Sequence, residues 1–387
     1  MRPHLLGLAV VSVLAGCPST GTPARPGTGV SPAPGGSPAT IATPSQWYLE
    51  ATRGIDIRTA WSLPLRHTAD GQKPGTGVTV AIVDTGIDSD HPDLEGNLAR
   101  VTPAALGSPV RSRLRDATLG APLVVDEVGG RDAPYAGRDG NGHGTFCAGL
   151  IAAVDDGAGI VGVAPGARIL AIKAMTSTGD GRDEEIARGI LDAVELGADL
   201  VNVSVGGSAP SQVLAEAMAE AFRRGCSLVV ASGNGAGAVY YPAAYPGVIA
   251  VGATAGIPGS PREIPPYSNR GPELTLVAPG GTPEQAPTTS IWSTLPTHAY
   301  ALSGRLGNTY GRLEGTSFAT PLVAGVAALV LAEARARGMS LTPAQLRLHL
   351  AATATPLTRN PFDPRSGYGF INPKRALEVL ARPGETS

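Results

Sequence analysis

Three residues of the types that carry acyl-transfer chemistry sit in separate glycine-rich motifs. Asp84 ends the β-branched run Val78 to Val83 in Val83-Asp84-Thr85-Gly86-Ile87-Asp88. His143 lies in Asn141-Gly142-His143-Gly144-Thr145, and Ser317 in Gly315-Thr316-Ser317-Phe318-Ala319-Thr320-Pro321. Each has a plain alternative: an aspartate before glycine forms turns, a histidine between glycines can be incidental, and a serine ahead of an apolar helix can be an N-cap. Together they offer a nucleophile, a general base and a carboxylate that fixes the tautomer of the base. A fourth group, Asn234 in Ala231-Ser232-Gly233-Asn234-Gly235, follows an apolar strand and can donate to a developing oxyanion alongside the Ser317 N–H.

The elements that must hold these groups alternate between strand and helix. Strands are predicted at Val78–Val83, Ile169–Met175, Leu200–Val205, Ser227–Ala231 and Val248–Gly252. Helical spacing of Ile186, Ile190, Leu191 and Val194, then of Leu214, Ala217, Met218, Ala221 and Phe222, predicts helices before Gly197 and Gly225. Residues from Thr145 to Ala153 read as a helix opened by His143, and the apolar run after Ser317 reads as a core helix through Ala332. Such alternation predicts an α/β fold, a mostly parallel sheet with helices on both faces, which places ligands at the carboxyl ends of its strands.

The order Asp84, His143, Ser317, with Asn234 before the serine, resembles the subtilisin-type (subtilase) serine peptidases from about Val78 to Leu380. Gly159-Ile160-Val161-Gly162-Val163-Ala164-Pro165, Tyr267-Ser268-Asn269-Arg270-Gly271-Pro272 and Val277-Ala278-Pro279-Gly280 are similar to family stretches as well. The resemblance implies an endopeptidase with Asp84 as orienting carboxylate, His143 as base, Ser317 as nucleophile and Asn234 as oxyanion donor. It also implies a cleft for extended peptide. Ser204, Val205 and Gly206 would form one wall of the primary pocket, Ala231, Ser232 and Gly233 the other, and the edge Met175 to Gly181, Gly179 included, the opposing strand. Tyr240 stands at the expected pocket floor, so small or medium apolar residues are expected there, unless its ring turns into the core. A peptide-binding module without turnover is the other class open to this fold.

The resemblance further implies a calcium site. Asp93, Asp156 and the carbonyls of Val154, Ala158 and Ile160 match its oxygen donors, with Gln46 the nearest candidate for an N-terminal ligand. Cys147 and Cys226 read as free buried thiols, although an exported chain could pair them.

Residues 1–16 read as an export leader, with the apolar stretch Leu5 to Ala15 too short to span a bilayer. Leu14-Ala15-Gly16-Cys17 resembles a bacterial lipobox, which would acylate Cys17 and anchor the protein to a membrane outside the cytoplasm. Residues 17–44 are rich in Pro, Gly, Ser, Thr and Ala and read as a tether reaching about 30 Å. The peptidase domain is expected over 45–383, with 384–387 a tail. Residues 18–44 offer no room for the folded prodomain usual in extracellular members of the family. The stretches Arg100–Arg138 and Pro283–Asn308 read as insertions, the first as surface loops. A formal charge of -2 without any basic run argues against nucleic acid as a partner, and the chain is expected to act as a monomer on protein or peptide substrates.

Overall fold

The computed structural model describes residues 46–298, 300 and 309–380, and the backbone of residues 10–13 and 381. Cys17, the tether over 17–44 and the tail lie outside the described residues. In chain order the strands are β1 (Val10–Val13), β2 (Thr79–Asp84), β3 (Val124–Asp126), β4 (Arg168–Lys173), β5 (Asp180–Arg182), β6 (Leu200–Val203), β7 (Val205–Gly206), β8 (Ser227–Ala231), β9 (Ile249–Thr254), β10 (Leu276–Pro279), β11 (Ile291–Thr294) and β12 (Tyr310–Leu313). The α-helices are α1 (Ile57–Trp61), α2 (Pro92–Glu95), α3 (Pro103–Gly107), α4 (His143–Ala152), α5 (Asp183–Glu195), α6 (Gln212–Arg223), α7 (Thr316–Ala336), α8 (Pro343–Thr353) and α9 (Pro373–Ala381).

Seven strands form one parallel sheet in the order β10-β9-β8-β6-β2-β4-β3. Its strands are buried on both faces, which explains why β8 and β9 read as nearly unbroken apolar runs rather than alternating ones. On one face α5 and α6 pack Ile186, Ile190, Leu214 and Met218 against the sheet. On the other lie α4 and α7, with Phe146, Phe318, Leu322 and Val326 in the core. Each such side chain, fully buried, contributes roughly 1.5–3 kcal/mol. Helix α7 is long and apolar enough to cross a membrane, yet its apolar stretch is buried, packed against β6, β8, β9 and β10, and only its last two residues, Arg335 and Ala336, are exposed.

Predicted elements match within one or two residues, except that the helix expected through Ala332 runs four residues further to Ala336, and three other corrections apply. The strand expected at Leu200–Val205 breaks at Ser204 into β6 and β7, so β7 can leave the parallel sheet. Helix α7 starts at Thr316 with Gly315 as its N-cap, which removes the N-cap reading of Ser317 and puts the serine in the first turn. The stretch Arg100–Arg138 is more than surface loops: it supplies β3, an edge strand paired in parallel with β4, and buries Leu123, Val124 and Val125. A three-residue strand is too short for periodicity to reveal and exists because Val125 pairs with the distant Ile172.

Candidate active site

The carboxyl ends of β2, β6 and β8 and the N-terminal ends of α4 and α7 converge on one edge of the sheet. His143, at the first position of α4, has Nδ1 at 2.8 Å from Asp84 Oδ1 and 2.9 Å from Oδ2. Both side chains are buried. The approach is close enough that a Cβ on Gly144 would sit 2.1 Å from the Gly86 carbonyl oxygen. Glycine beside His143 is therefore a packing requirement, in addition to opening space around the ring. The other ring nitrogen, Nε2, is buried with no hydrogen-bond partner among the described residues. Phe318, the residue after Ser317, packs its ring 5.3 Å from the imidazole, which brings the start of α7 up to the histidine. The Ser317 hydroxyl donates to the Ser204 carbonyl at 3.0 Å.

Asn234 stands at the end of β8. Its Oδ1 accepts from the Thr316 N–H at 2.9 Å and from the Thr316 hydroxyl at 2.8 Å, so Nδ2 is the edge turned away from α7. The turn that carries it is fastened by Asn269, fully buried. Asn269 Nδ2 donates to the Ser232 carbonyl, and its Oδ1 accepts from the Gly235 and Gly237 N–H groups at 2.8 and 3.1 Å. Gly233 in this turn has φ +106°, a left-handed value that favours glycine.

Neither Thr316 nor Asn269 was assigned a role from sequence. The same holds for Asp139, whose Oδ1 accepts from the Thr85 hydroxyl, Asn141 N–H and Gly142 N–H, and whose Oδ2 accepts from Thr145. Asp139 thereby ties the end of β2 to the start of α4. Its Asp-Gly-Asn-Gly context was the available signal.

The cleft holds a strand of the chain's own. β1 runs antiparallel between β5 and β7, with Val11 opposite Gly181, Ser12 opposite both Asp180 and Gly206, and Val13 opposite Val205. The predicted substrate strand and its opposing edge thus flank one position: Val205 and Gly206 on one side, and on the other the hairpin closed by the Met175–Gly181 bridge and the Gly179 N–H bond to the Thr176 carbonyl. Tyr240 lies between the two pocket walls. A Cβ on Gly206 would be 3.5 Å from Tyr240 Cβ, and one on Gly233 would meet the Tyr240 ring at 2.6 Å. Its ring is half-buried and does not turn into the core.

Lys173 ends β4 directly beside Asp84 and is fully buried. Its Nζ donates to the Thr85 and Met175 carbonyls at 2.9 and 3.0 Å and pairs with Asp132 at 2.9 Å. Burial opposes ionisation of Asp132, but Lys173 and Ser177 outweigh it and hold the carboxyl below its ordinary range. Further out, Glu127 shares Arg113 with Asp192, and burial together with the hydrogen bond to Asp192 pushes the Glu127 carboxyl up to about 7.

Cys147 and Cys226 are free and buried, as expected. The Cys147 sulfur, Asp84 and His143 have ligand atoms within 4.8 Å of one another. Burial, with the Asp84 charge nearby, pushes the Cys147 thiol well above its ordinary range, so it is a poor nucleophile and metal ligand at neutral pH.

At the predicted calcium loop, Asp93 is buried and its Oδ2 accepts from the Ile160 N–H at 2.9 Å. Asp156 caps Ala158 N–H at 2.9 Å. The carbonyls of Val154, Ala158 and Ile160 accept no hydrogen bond among the described residues. These oxygens suit a hard cation. Gln46 does not join them: its amide clasps the backbone of Val161 through both N–H and C=O. Tyr310, unassigned from sequence, sits beside Asp93, and burial plus that carboxylate push its hydroxyl upward.

The Subtilase family model matches residues 75–369. Subtilisin E of Bacillus subtilis (strain 168) is 37% identical over 309 residues, covering 79% of this chain and 66% of that protein, just under two thirds of its length. Subtilisin Savinase of Lederbergia lenta is 38% identical over 304 residues, covering 78% of this chain and 91% of that protein. Among solved structures, fervidolysin from Fervidobacterium pennivorans, a keratinolytic enzyme related to subtilisin, has a TM-score of 0.64 and 30% identity, covering 88% of this chain and 48% of that one. By its motifs, its parallel seven-stranded sheet and these matches, the chain belongs to the subtilase family.

Proposed function

We propose that the protein is a serine endopeptidase that hydrolyses peptide bonds in extended protein segments through an acyl-enzyme. The observation that carries this reading is the imidazole of His143, gripped by Asp84 at Nδ1, with its buried Nε2 left without a partner among the described residues and the start of α7 packed against the ring through Phe318. Rotation of the serine hydroxyl from the Ser204 carbonyl to Nε2 gives the base its proton to take. Attack of Oγ on the substrate carbonyl forms the C–O bond while Nε2 accepts that proton and Asp84 stabilises the imidazolium. The oxyanion is held by Asn234 Nδ2 and the Ser317 N–H. Collapse expels the amine, protonated by His143, and water repeats the sequence to release the acid.

The substrate enters as a strand between β5 and β7, the position that β1 takes in cis. Tyr240 between the walls shortens the primary pocket, which favours small or medium apolar residues. Asp93, Asp156 and the carbonyls of Val154, Ala158 and Ile160 would hold a structural calcium ion, whose charge would fix the loop after α4. The leader and Cys17 support an exported, lipid-anchored enzyme acting as a monomer.

A fluorophosphonate probe tests the activity. Wild-type protein should become labelled and hydrolyse casein, and Ser317→Ala should do neither. A folded wild-type protein that resists the probe would end the enzyme reading.

A further inference from the structure

The insertion between the Asp84 and His143 motifs contributes one carboxylate, Asp132, to the cleft side of the molecule. Asp132 is 6% exposed and interrupts the 3-10 helix Gly129–Tyr135 with non-helical φ/ψ of -134° and 42°. Its Oδ2 contacts Lys173 Nζ at 2.9 Å and accepts the Ser177 N–H at 2.8 Å, while Oδ1 accepts the Ser177 hydroxyl at 2.8 Å. Ser177 lies in the hairpin that leads into β5. The same hairpin is held from the opposite side by Asn141 Nδ2, which donates to the Ser177 carbonyl at 2.9 Å. Lys173 in turn binds the carbonyls of Thr85, next to Asp84, and Met175, where the hairpin starts. One ion pair therefore joins the end of the catalytic strand β2 to the outer substrate-pairing edge. A fully buried ammonium tolerates this position only while a carboxylate balances it.

We propose that Asp132 is a positioning residue for peptide binding, setting through Lys173 and Ser177 the separation of β5 from β7 and so the grip on substrate residues remote from the scissile bond. The pairing of β1 gives the direction. Val13 faces Val205, adjacent to the Ser204 that binds Ser317, whereas Val10, Val11 and Ser12 face Arg182, Gly181 and Asp180. Val10 and Val11 pair with β5 alone, Ser12 with both strands and Val13 with β7 alone, so β5 holds the far end of the occupant, which a two-residue substrate touches at one position at most. The inference rests on the cleft being a peptide site, and it holds whether or not turnover follows.

The test compares Asp132→Asn and Ser177→Ala, each alone and in a Ser317→Ala background, in the full-length protein. Binding of a fluorescent five-residue peptide and of a two-residue analogue to the Ser317→Ala proteins is read by anisotropy. Hydrolysis of p-nitroanilides of the same lengths is read in the others. We expect Asp132→Asn to weaken five-residue binding about 10-fold and to raise KM in proportion, Ser177→Ala to weaken it about 3-fold, and both to leave kcat and the two-residue substrate within about twofold. Loss of long and short substrates alike, or no loss of the length advantage in either variant, overturns the proposal. If Asp132→Asn fails to fold, Ser177→Ala alone decides by the same criterion. Length-dependent binding without hydrolysis in wild type would count against the enzyme reading and leave this one standing.

Discussion

Thr316 holds Asn234 with two donors on one oxygen, its N–H at 2.9 Å and its hydroxyl at 2.8 Å. The arrangement fixes which edge of the amide would meet an oxyanion under the proposed mechanism before any substrate arrives. Preorganisation of this kind acts on the transition state and little on the ground state. Asn234→Ala should lower kcat by about 10²–10³-fold, the loss known for the equivalent change in a subtilisin, with KM changed by less than about threefold. Steady-state kinetics on one peptide substrate checks both numbers; equal turnover would remove Asn234 from the oxyanion hole.

Tyr240 gives a prediction about selectivity. Tyr240 lies against Gly206 and Gly233, so in the proposed pocket its ring would take space that a large side chain before the scissile bond needs. Tyr240→Gly should raise kcat/KM for phenylalanine relative to alanine at that position by about 10-fold, measured on a peptide library. A profile unchanged by the substitution would mean that the ring does not bound the pocket.

The calcium loop is tested by stability. At calcium about a hundredfold above Kd the ion should add roughly 2.7 kcal/mol, visible as a rise in Tm that chelator abolishes. Asp93→Asn should lose most of that increment. A Tm indifferent to calcium and chelator in the wild-type protein would mean that the donors at Asp93, Val154, Asp156, Ala158 and Ile160 hold no such ion.

Glu127 links stability to pH. Its folded-state carboxyl stands at about 7, above the ordinary 4.5, so the native protein holds a proton that the unfolded chain has released. That contribution is fully present below pH 4.5 and is lost as pH rises to 7. Tm should therefore fall more between pH 5 and 8 in wild type than in Glu127→Gln, whatever offset the lost contacts to Arg113 and Arg188 impose. Parallel Tm curves for the two proteins would contradict the shift.

The candidate triad and Asn234 stand out in the sequence because acyl transfer constrains residue type, order and local glycine content at once. The parallel sheet was legible because each central strand is an apolar run followed by an amphipathic helix. What sequence did not reveal were groups acting through long-range partners. Asp132 and Lys173 carry no local pattern, Asn269 stands in a family-like stretch that assigns it no role, and what all three do depends on the fold bringing Ser177, Thr85 and Ser232 to them. β3 stayed hidden for the same reason. Gln46 shows the reverse case, a side chain with suitable oxygen chemistry that the fold commits to the Val161 backbone.

Ser317 occupies the first turn of a helix that is buried from Thr316 to Ala334, and the Ser204 carbonyl that its hydroxyl meets lies 113 residues earlier in the chain. A helix this apolar is stabilised mainly by the core that covers it, so Ser317, the proposed nucleophile, meets its proposed base only in packed molecules. Titrating Ser317 with a covalent inhibitor therefore counts native molecules, and the protein carries its own folding assay.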